Sequence, residues 1–165
     1  MTQYGESTTA SPLIVSQWFN IDHALTLDEL RGKVVSIHTF QMLCPGCVMQ
    51  AMPQAVRLWQ HYRQSSHGKD VVVIGLHTVF EHHHVMTPAA LEVYLHEFRI
   101  PFPVGVDMAG VDDPIPQTMR AYRTQGTPTT LLIDGAGQLR KHYFGAESDR
   151  QAIADIDQLV TELAR

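Results

Sequence analysis

Two mostly apolar runs of similar length dominate the pattern in the first half of the chain. Residues 34–40 read Val-Val-Ser-Ile-His-Thr-Phe, and residues 70–78 read Asp-Val-Val-Val-Ile-Gly-Leu-His-Thr. Short runs rich in β-branched residues are typical of strands that are buried on both faces of a sheet. Because a helical pattern lies between the two runs, the sequence predicts a right-handed parallel crossover.

The helix between these strands is predicted from apolar residues that recur at helical spacing as far as about Gln64. We expect it to begin near Pro45, because proline is favoured in the first turn of a helix, where its missing N–H has no partner. Pro53 lies inside the same pattern and should kink the helix. The recurring apolar residues are Val48, Met52, Ala55, Val56 and Trp59.

Shorter signals predict the remaining elements. Thr87-Pro88 is typical of a helix start, and Ser148 with Gln151 forms a capping box that opens the last helix. The other predicted elements are an extended segment 12–19, a loop 25–32, a strand 102–106, a short helix 117–123 and a hairpin of 129–133 with 139–144. We therefore expect an α/β domain with a mixed central sheet over 12–165, preceded by a flexible N-terminus, 1–11.

Composition and charge fit one domain and argue against several kinds of partner. Of 165 residues, 44% are hydrophobic, and 12 Lys and Arg against 17 Asp and Glu give a net charge of -5. No basic run is dense enough to neutralise phosphates, so nucleic acid and membrane surfaces are not expected partners. No run approaches the ~18 apolar residues of a membrane span, and the N-terminal region has no signal-peptide pattern, so we expect a cytoplasmic protein.

The chain has only two cysteines, Cys44 and Cys47, in the motif Cys-Pro-Gly-Cys. No second pair can complete a four-thiolate zinc site, and in a reducing compartment such a pair is more often catalytic than structural. Unpaired N–H groups at the helix start carry about half a positive charge, which favours thiolate over thiol at Cys44. We predict Cys44 as the nucleophile and Cys47 as the resolving thiol; two inert core thiols are the alternative.

The order strand, Cys-x-x-Cys, kinked helix is followed by Gly-Thr-Pro-Thr-Thr-Leu-Leu-Ile-Asp at 126–134 and by a glycine hairpin. These features resemble the thioredoxin superfamily, in particular its TlpA-like or redoxin branch. Segment 31–35, a helix and strand within 87–106, and Gly145 match this branch as well. The resemblance implies a thioredoxin-like fold with an extra helix-strand insertion around 87–106, and thiol-disulfide oxidoreductase activity without a cofactor.

The resemblance also assigns roles to residues that face the cysteines. In the family, the proline matching Pro128 is cis and lies against the cysteine pair, and the backbone before it pairs with the substrate chain. Carried over, Thr127 and Pro128 bind the substrate together with Pro45 and Gly46 of the motif. Without the family, Thr127-Pro128 is an extended residue before a proline at a strand start.

The implied partners are a disulfide-bearing protein or a small thiol substrate, together with an upstream reductant. We expect reduction rather than oxidation because of the expected compartment, and a monomer or weak dimer. The chain departs from the family pattern at three places. Gln41-Met42-Leu43 replaces the usual aromatic residue before the first cysteine, Gln50 replaces a common acidic residue, and Pro53 lies one residue further along than usual. Substrate preference should differ accordingly.

A thiol-dependent peroxidase is the first alternative function. The related peroxiredoxins use the pattern Pro-x-x-x-Thr-x-x-Cys, because the threonine hydroxyl and a neighbouring arginine hold the peroxide oxygens. Counted back from Cys44, the matching positions are Gln41 and Ile37, so the usual oxygen-positioning groups are missing. Such an enzyme would use Cys44 as the peroxidatic thiol and Cys47 as the resolving thiol.

A copper-type metal-binding module is the second alternative. It would use the two cysteines with a histidine of segment 77–84, among His77, His82 and His84. In an extended stretch, His82 and His84 point to one face. Imidazoles in a surface loop are usually solvated, so we predict no metal site.

His38 lies in the middle of the first predicted strand, six residues before Cys44. One interpretation is a buried structural histidine. The other is a catalytic role, in which His38 takes the proton from Cys47 during the resolving step, since the ordinary histidine pKa of ~6.5 suits proton transfer near neutral pH.

Overall fold

A computed structural model describes residues 7–163 and contains a seven-stranded mixed sheet with helices on both faces. The sheet order is β1-β7-β6-β3-β4-β5-β2; β3 with β4 and β4 with β5 are parallel, and the other pairs are antiparallel. The strands are β1 Thr8–Thr9, β2 Val15–Phe19, β3 Val34–Phe40, β4 Val71–His77, β5 Val104–Asp107, β6 Thr129–Ile133 and β7 Gln138–Phe144. The helices are α1 Met52–Arg63, α2 Pro88–Glu97, α3 Gln117–Tyr122 and α4 Asp149–Leu163. The predicted α/β fold with its helix-strand insertion is confirmed.

Strand β3 occupies the centre of the sheet, and all seven of its residues are buried. It pairs in parallel with β4 over its whole length and antiparallel with β6 over residues 35–39. Parallel neighbours need a long crossover, and the helical segment between them supplies it. The prediction of two buried parallel strands is therefore confirmed.

Helices α1, α2 and α4 cover one face of the sheet, while α3 and part of segment 10–30 cover the other. On the first face, Phe40 and Cys47 pack with α1 and α2, and Val34 packs with α1 and α4. On the second face, Ile37 packs with Tyr122 of α3. Side chains alternate along a strand, so the even-numbered residues of β3 face the helix that follows the cysteines.

The first residues of the chain, predicted as a flexible N-terminus over 1–11, lie partly outside the described residues. Within the described part, Thr8–Thr9 pair with β7 at the edge of the sheet, and the Ala10 N–H donates to the Gly137 carbonyl oxygen at 2.9 Å. Among residues 7–163, no helix has the length and apolar character needed to cross a bilayer.

The two N-cap hydroxyls that the sequence predicts, those of Thr87 and Ser148, both accept a hydrogen bond. The Thr87 hydroxyl accepts a hydrogen bond from the Ala90 N–H at 3.2 Å, and the Ser148 hydroxyl accepts one from the Gln151 N–H at 3.1 Å. The second bond of the predicted capping box, from the Ser148 N–H to the Gln151 side-chain oxygen, is absent among the described residues, and the Gln151 Nε2 donates to Asp155 at 2.8 Å.

The helix after the cysteine motif begins irregularly. Residues 45 and 46 are helical, and a π-helical turn follows over Cys47–Ala51, in which the Met52 N–H donates to the Cys47 carbonyl oxygen. Pro53 comes directly afterwards; it has no N–H, and its ring crowds the carbonyl four residues earlier. Pro53 lies in the first turn of α1, directly after the π-helical turn, and the kink expected at Pro53 stays a prediction.

A buried lysine connects β7 to the loop and helix that follow it. The Lys141 ammonium contacts both carboxylate oxygens of Glu147, at 2.8 and 2.6 Å, and also the carboxylate of Asp155. Only 3% of the Lys141 side chain is exposed, and the two carboxylates are nearly as buried. Because all three charges have left water, loss of the lysine would leave two carboxylates uncompensated.

We expect Lys141→Met to lower the free energy of unfolding by about 3–5 kcal/mol, because it leaves the buried carboxylates of Glu147 and Asp155 without a compensating positive charge. Urea denaturation at neutral pH measures the change. Lys69→Met, at an exposed lysine, is the control and should stay within about 0.5 kcal/mol of the parent. If Lys141→Met lowers the free energy of unfolding no more than Lys69→Met does, the contacts of Lys141 with Glu147 and Asp155 do not stabilise the fold.

Candidate active site at the cysteine pair

The two cysteines lie at the edge of the sheet where β3 and β4 end and β6 begins. Strand β3 ends at Phe40, and residues 41–44 lead from it into the helical turn at 45. Strand β6 runs antiparallel to β3, so the segment that precedes β6, Thr127-Pro128, reaches the same edge. The fold therefore brings together two segments that are far apart in sequence.

Cys44 is half-buried, and its sulfur receives a hydrogen bond from the helix start. The Cys47 N–H donates to the Cys44 Sγ at 3.3 Å, and this Sγ lies 3.6 Å from the Thr127 carbonyl oxygen. The donor belongs to the first turn of the helix, where backbone N–H groups have no partner within the helix. Such a donor at the positive end of a helix stabilises a thiolate.

Cys47 lies one turn further in and has no exposed surface. Burial, and then its hydrogen bond with Cys44, raises the pKa of Cys47 to about 12, while hydrogen bonds from the Gln41 backbone and the Thr127 side chain act to lower it. At neutral pH Cys47 is thus a protonated thiol. The assignment of Cys44 as nucleophile and Cys47 as resolving thiol stays a prediction, and this geometry allows it.

The residues that the resemblance assigns to substrate binding lie together at this edge. The bond between Thr127 and Pro128 is cis, as the resemblance implied. A Cβ atom on Gly46 would lie 3.6 Å from the Pro128 Cδ, so the proline packs against the motif. Pro45 is exposed beside them. Contact of these four residues with a substrate stays a prediction.

A cavity of about 170 Å³ opens beside Cys44. Cavities that enclose a small-molecule ligand are usually ~300–1,000 Å³, so this one suits a side chain or a short segment of a larger partner. Its lining residues besides Cys44 are Gln41, Leu43, Pro45, Phe80, Glu81, His82, Met86 and Thr127.

His38 has its hydrogen-bond partner away from the thiols. Its Nε2 lies 2.9 Å from the Ser36 hydroxyl, and the described residues contain no hydrogen bond between His38 and either cysteine. Burial, and then the nearby charge of Lys141, lowers the pKa of His38 to about 4. These contacts favour a buried structural histidine; the catalytic role stays a prediction.

His77 contacts residues 41–44, the segment between β3 and the helical turn at 45, which we call the cysteine loop. The sequence did not indicate this role. Its Nε2 accepts a hydrogen bond from the Met42 N–H at 3.2 Å, and its ring packs against Phe40 with centroids 5.1 Å apart. Burial lowers the pKa of His77 to about 4, so the ring is neutral at pH 7 and can accept this bond. The available signal was a polar residue at the end of an apolar strand.

Of the other histidines considered as metal ligands, His82 lines the cavity beside Cys44. His82 and His84 are exposed, and the His83 Nε2 lies 3.0 Å from the Pro114 carbonyl oxygen. Within residues 7–163, no three His, Cys, Asp or Glu side chains come together in a way that could hold a metal ion. Residues 7–163 therefore offer no group of side chains that would serve as metal ligands in the metal-binding alternative.

Known proteins of similar sequence and structure include oxidoreductases. No protein-family model matches the chain. The chain is 51% identical to a thioredoxin-like superfamily protein of known crystal structure (TM-score 0.86; 92% of this chain, 96% of that one). It is 45% identical to a thiol-disulfide isomerase from Corynebacterium glutamicum (TM-score 0.83; 92% and 97%). It is 26% identical over 145 residues to the thiol-disulfide oxidoreductase ResA of Geobacillus thermodenitrificans (87% and 72%).

The contrast between the two sulfurs predicts selective alkylation. In the reduced, folded protein at pH 7, we expect iodoacetamide to modify Cys44 at least about 100-fold faster than Cys47, which is buried and protonated. Fragment mass spectra of the peptide that carries both cysteines measure the two rates. In urea, the preference should disappear; equal rates in the folded protein would contradict the assignment.

The two buried neutral histidines predict a loss of stability in acid. Their pKa of about 4 in the folded protein lies below the ~6.5 of an unfolded chain, so between these values only the unfolded state takes up the protons. Stability that is fully present above pH 6.5 is therefore lost as the pH falls toward 4. Between pH 7 and pH 5, we expect each of these histidines to lower the free energy of unfolding by about 2 kcal/mol.

Urea denaturation at the two pH values measures this loss. His77→Gln should remove about half of the histidine-linked part, because glutamine takes up no proton in either state. His96→Gln, at an exposed histidine, should leave the pH dependence unchanged. An unchanged pH dependence in His77→Gln would contradict the explanation.

Proposed function

This chain belongs to the redoxin branch of the thioredoxin superfamily and is a thiol-disulfide oxidoreductase, and on that premise we propose that Cys44 and Cys47 reduce a disulfide of a protein substrate. The observation that carries the proposal is the unequal placement of the two sulfurs. Cys44 is accessible and hydrogen-bonded by the Cys47 N–H, whereas Cys47 is buried directly behind it.

The first exchange uses Cys44 alone. Its thiolate attacks one sulfur of the substrate disulfide, a bond forms between Cys44 and that sulfur, and the second substrate sulfur leaves as a thiolate that takes up a proton. The Cys47 N–H stabilises the attacking thiolate at 3.3 Å. The product is a mixed disulfide between Cys44 and the substrate.

The second exchange uses Cys47. Its thiol gives up a proton, and the resulting thiolate attacks the Cys44 sulfur, so that the bond to the substrate breaks and the substrate leaves with its second thiol. The protein is now oxidised by two electrons and carries a Cys44–Cys47 disulfide. An upstream dithiol reductant must return it to the dithiol form. Burial opposes the deprotonation of Cys47, which makes this step the more demanding one.

The surroundings of Cys44 favour a polypeptide substrate over a small thiol. Three large apolar side chains are exposed on the segments that surround it: Leu43 is 55% exposed, Met49 76% and Phe144 44%. Exposed apolar surface next to a reactive group is typical of a surface that contacts another protein. Thr127 precedes the first paired residue of β6, so its backbone faces the same surface.

The direction of exchange depends on the compartment. We propose reduction, because a location in the cytoplasm, which itself stays a prediction, would keep Cys44 and Cys47 as thiols. The names of the related proteins, an isomerase and an oxidoreductase, agree with exchange in either direction.

A trapping experiment tests the proposal. Cys47→Ser removes the resolving thiol, so we expect Cys44 to remain joined to substrate proteins in persistent mixed disulfides that only a reductant releases. Non-reducing electrophoresis followed by mass spectrometry identifies them in cell extract. Cys44→Ser is the matched control, because it keeps one thiol but removes the accessible one.

Two outcomes would contradict this function. Capture by Cys47→Ser that does not exceed capture by Cys44→Ser would mean that no protein disulfide is attacked. A wild-type protein that consumes hydrogen peroxide rapidly but does not reduce insulin disulfides would be a peroxidase instead.

A further inference from the structure

The cavity beside Cys44 lies between two parts of the chain. One side is formed by members of segment 41–45 together with Thr127, and the other side by members of segment 80–86, which follows β4. Its volume of about 170 Å³ suits one side chain of a substrate polypeptide. Because Cys44 itself lines the cavity, that side chain must belong to a residue close to the substrate cysteine.

Contacts at both ends hold segment 80–86 in place. The Phe80 N–H donates to the Gln41 Oε1 at 3.2 Å, and the Gln41 Nε2 lies 3.4 Å from the Thr127 Oγ1. Gln41 is itself buried, with 1% of its surface exposed. At the other end of the segment, Met86 is 4% exposed and packs in the core. The fold therefore fixes this side of the cavity.

The middle of the segment is a tight turn at His82. The backbone of His82 is left-handed, with φ at 50°, which is uncommon for a residue other than glycine. Its carbonyl oxygen accepts the N–H groups of Val85 and Met86, at 3.0 and 3.1 Å. This turn keeps Glu81 and His82 beside the cavity.

The lining of the cavity combines apolar surface with a single carboxylate. Leu43, Phe80 and Met86 supply the apolar surface, and the described residues that line the cavity include no lysine or arginine. Glu81 supplies the carboxylate; it is exposed and has no hydrogen-bond or ion-pair partner within residues 7–163. A substrate that covers this carboxylate removes water from it, and a positive charge offsets that loss best.

We propose that this cavity receives a lysine or arginine side chain from a residue next to the substrate cysteine, and that Glu81 selects it. The aliphatic stem lies against Leu43, Phe80 and Met86, and the cationic group meets the Glu81 carboxylate. The net charge of -5 favours the approach of such a substrate. This inference rests on the proposed function, because it names the substrate class for the attack by Cys44.

Synthetic peptides test the proposal at the first exchange. Each peptide has one cysteine, joined through a disulfide to a pyridyl thiol, with Lys, norleucine, Ala or Glu directly before or directly after it. The Cys44 thiolate attacks the peptide sulfur, and the pyridyl thiolate leaves, takes up a proton and becomes thiopyridone. Its absorbance in a stopped-flow instrument gives the rate constant. Norleucine has the aliphatic stem of lysine without the charge.

We expect the wild-type protein to react about fivefold faster with the lysine peptide than with the norleucine peptide at one of the two positions. The norleucine peptide should react about twofold faster than the alanine peptide, because its stem covers more apolar surface. At about 0.5 M salt the lysine preference should fall, because the Debye length is then only about 4 Å.

Substitutions of Glu81 test its part in this preference. Glu81→Gln should bring the ratio of the lysine rate to the norleucine rate to about one, and Glu81→Lys should make the glutamate peptide faster than the lysine peptide. Because the ratio is taken within each variant, a general change in the reactivity of Cys44 cancels.

Glu97→Gln is the matched control. Glu97 is an exposed glutamate of α2 that does not line the cavity, and its substitution changes the net charge by the same amount as Glu81→Gln. Glu97→Gln should keep the fivefold ratio. Loss of the preference in both variants would mean that it comes from net charge, which would overturn the role of Glu81.

A chemical cross-link tests the contact itself. In Cys47→Ser the lysine peptide stays joined to Cys44, and a water-soluble carbodiimide then activates nearby carboxylates. The lysine amine attacks the activated carboxyl carbon, an amide forms, and the carbodiimide leaves as a urea. We expect mass spectrometry of the digested product to find this amide at Glu81.

The outcomes distinguish the inference from the function on which it rests. No release of thiopyridone from any peptide would refute the proposed function. Release at equal rates from the lysine and norleucine peptides, or a lysine preference that persists in Glu81→Gln, would refute the role of Glu81 alone. Equal rates for norleucine and alanine, or a cross-link only at other carboxylates, would mean that the side chain does not enter the cavity and would also overturn the inference.

Discussion

Strand β3 is hydrogen-bonded on both sides, in parallel to β4 and antiparallel to β6, and all of its side chains are buried. A register slip by one residue would turn every side chain to the opposite face, so the buried core permits only one register. The end of β3 is therefore a fixed point from which the cysteine loop starts. The segment before β6 meets that loop because β6 runs back along the same strand.

The chemistry of the site comes from placing two identical thiols in different surroundings. One sulfur is accessible and receives an N–H from the helix start, while the other is buried in the core formed by α1, α2 and β3. The first arrangement favours attack on a partner, and the second delays ionisation until a mixed disulfide is close by. The order of the two exchanges thus follows from burial and not from residue type.

Sequence alone predicted the elements with strong local signals. The two buried strands follow from β-branched runs, and the starts of α2 and α4 follow from the caps Thr87 and Ser148, whose partners lie three residues away. The π-helical turn over Cys47–Ala51 was not predicted, because it depends on which carbonyl accepts each backbone N–H, and the sequence pattern does not encode that choice.

The side-chain contacts that hold the loop before the cysteines were not predicted. His77 and Met42 are separated by 35 positions, and Gln41 and Thr127 by 86, so no periodic pattern links them. Gln41 was identified only as a departure from a related motif, and His77 only as a candidate metal ligand. The ammonium of Lys141 gave no signal either, because an isolated lysine in a strand of mixed polarity is usually solvated.

The cysteine loop is attached to the rest of the protein by uncharged groups, the Gln41 amide and the neutral His77 ring, together with backbone N–H and carbonyl groups. Dissolved ions weaken attraction between charges over about a Debye length but have little effect on a neutral hydrogen bond in the interior. The arrangement of the residues around the two thiols therefore does not depend on ionic strength. Salt can alter how often this protein, with its net charge of -5, meets a charged partner, but not the shape that the partner meets.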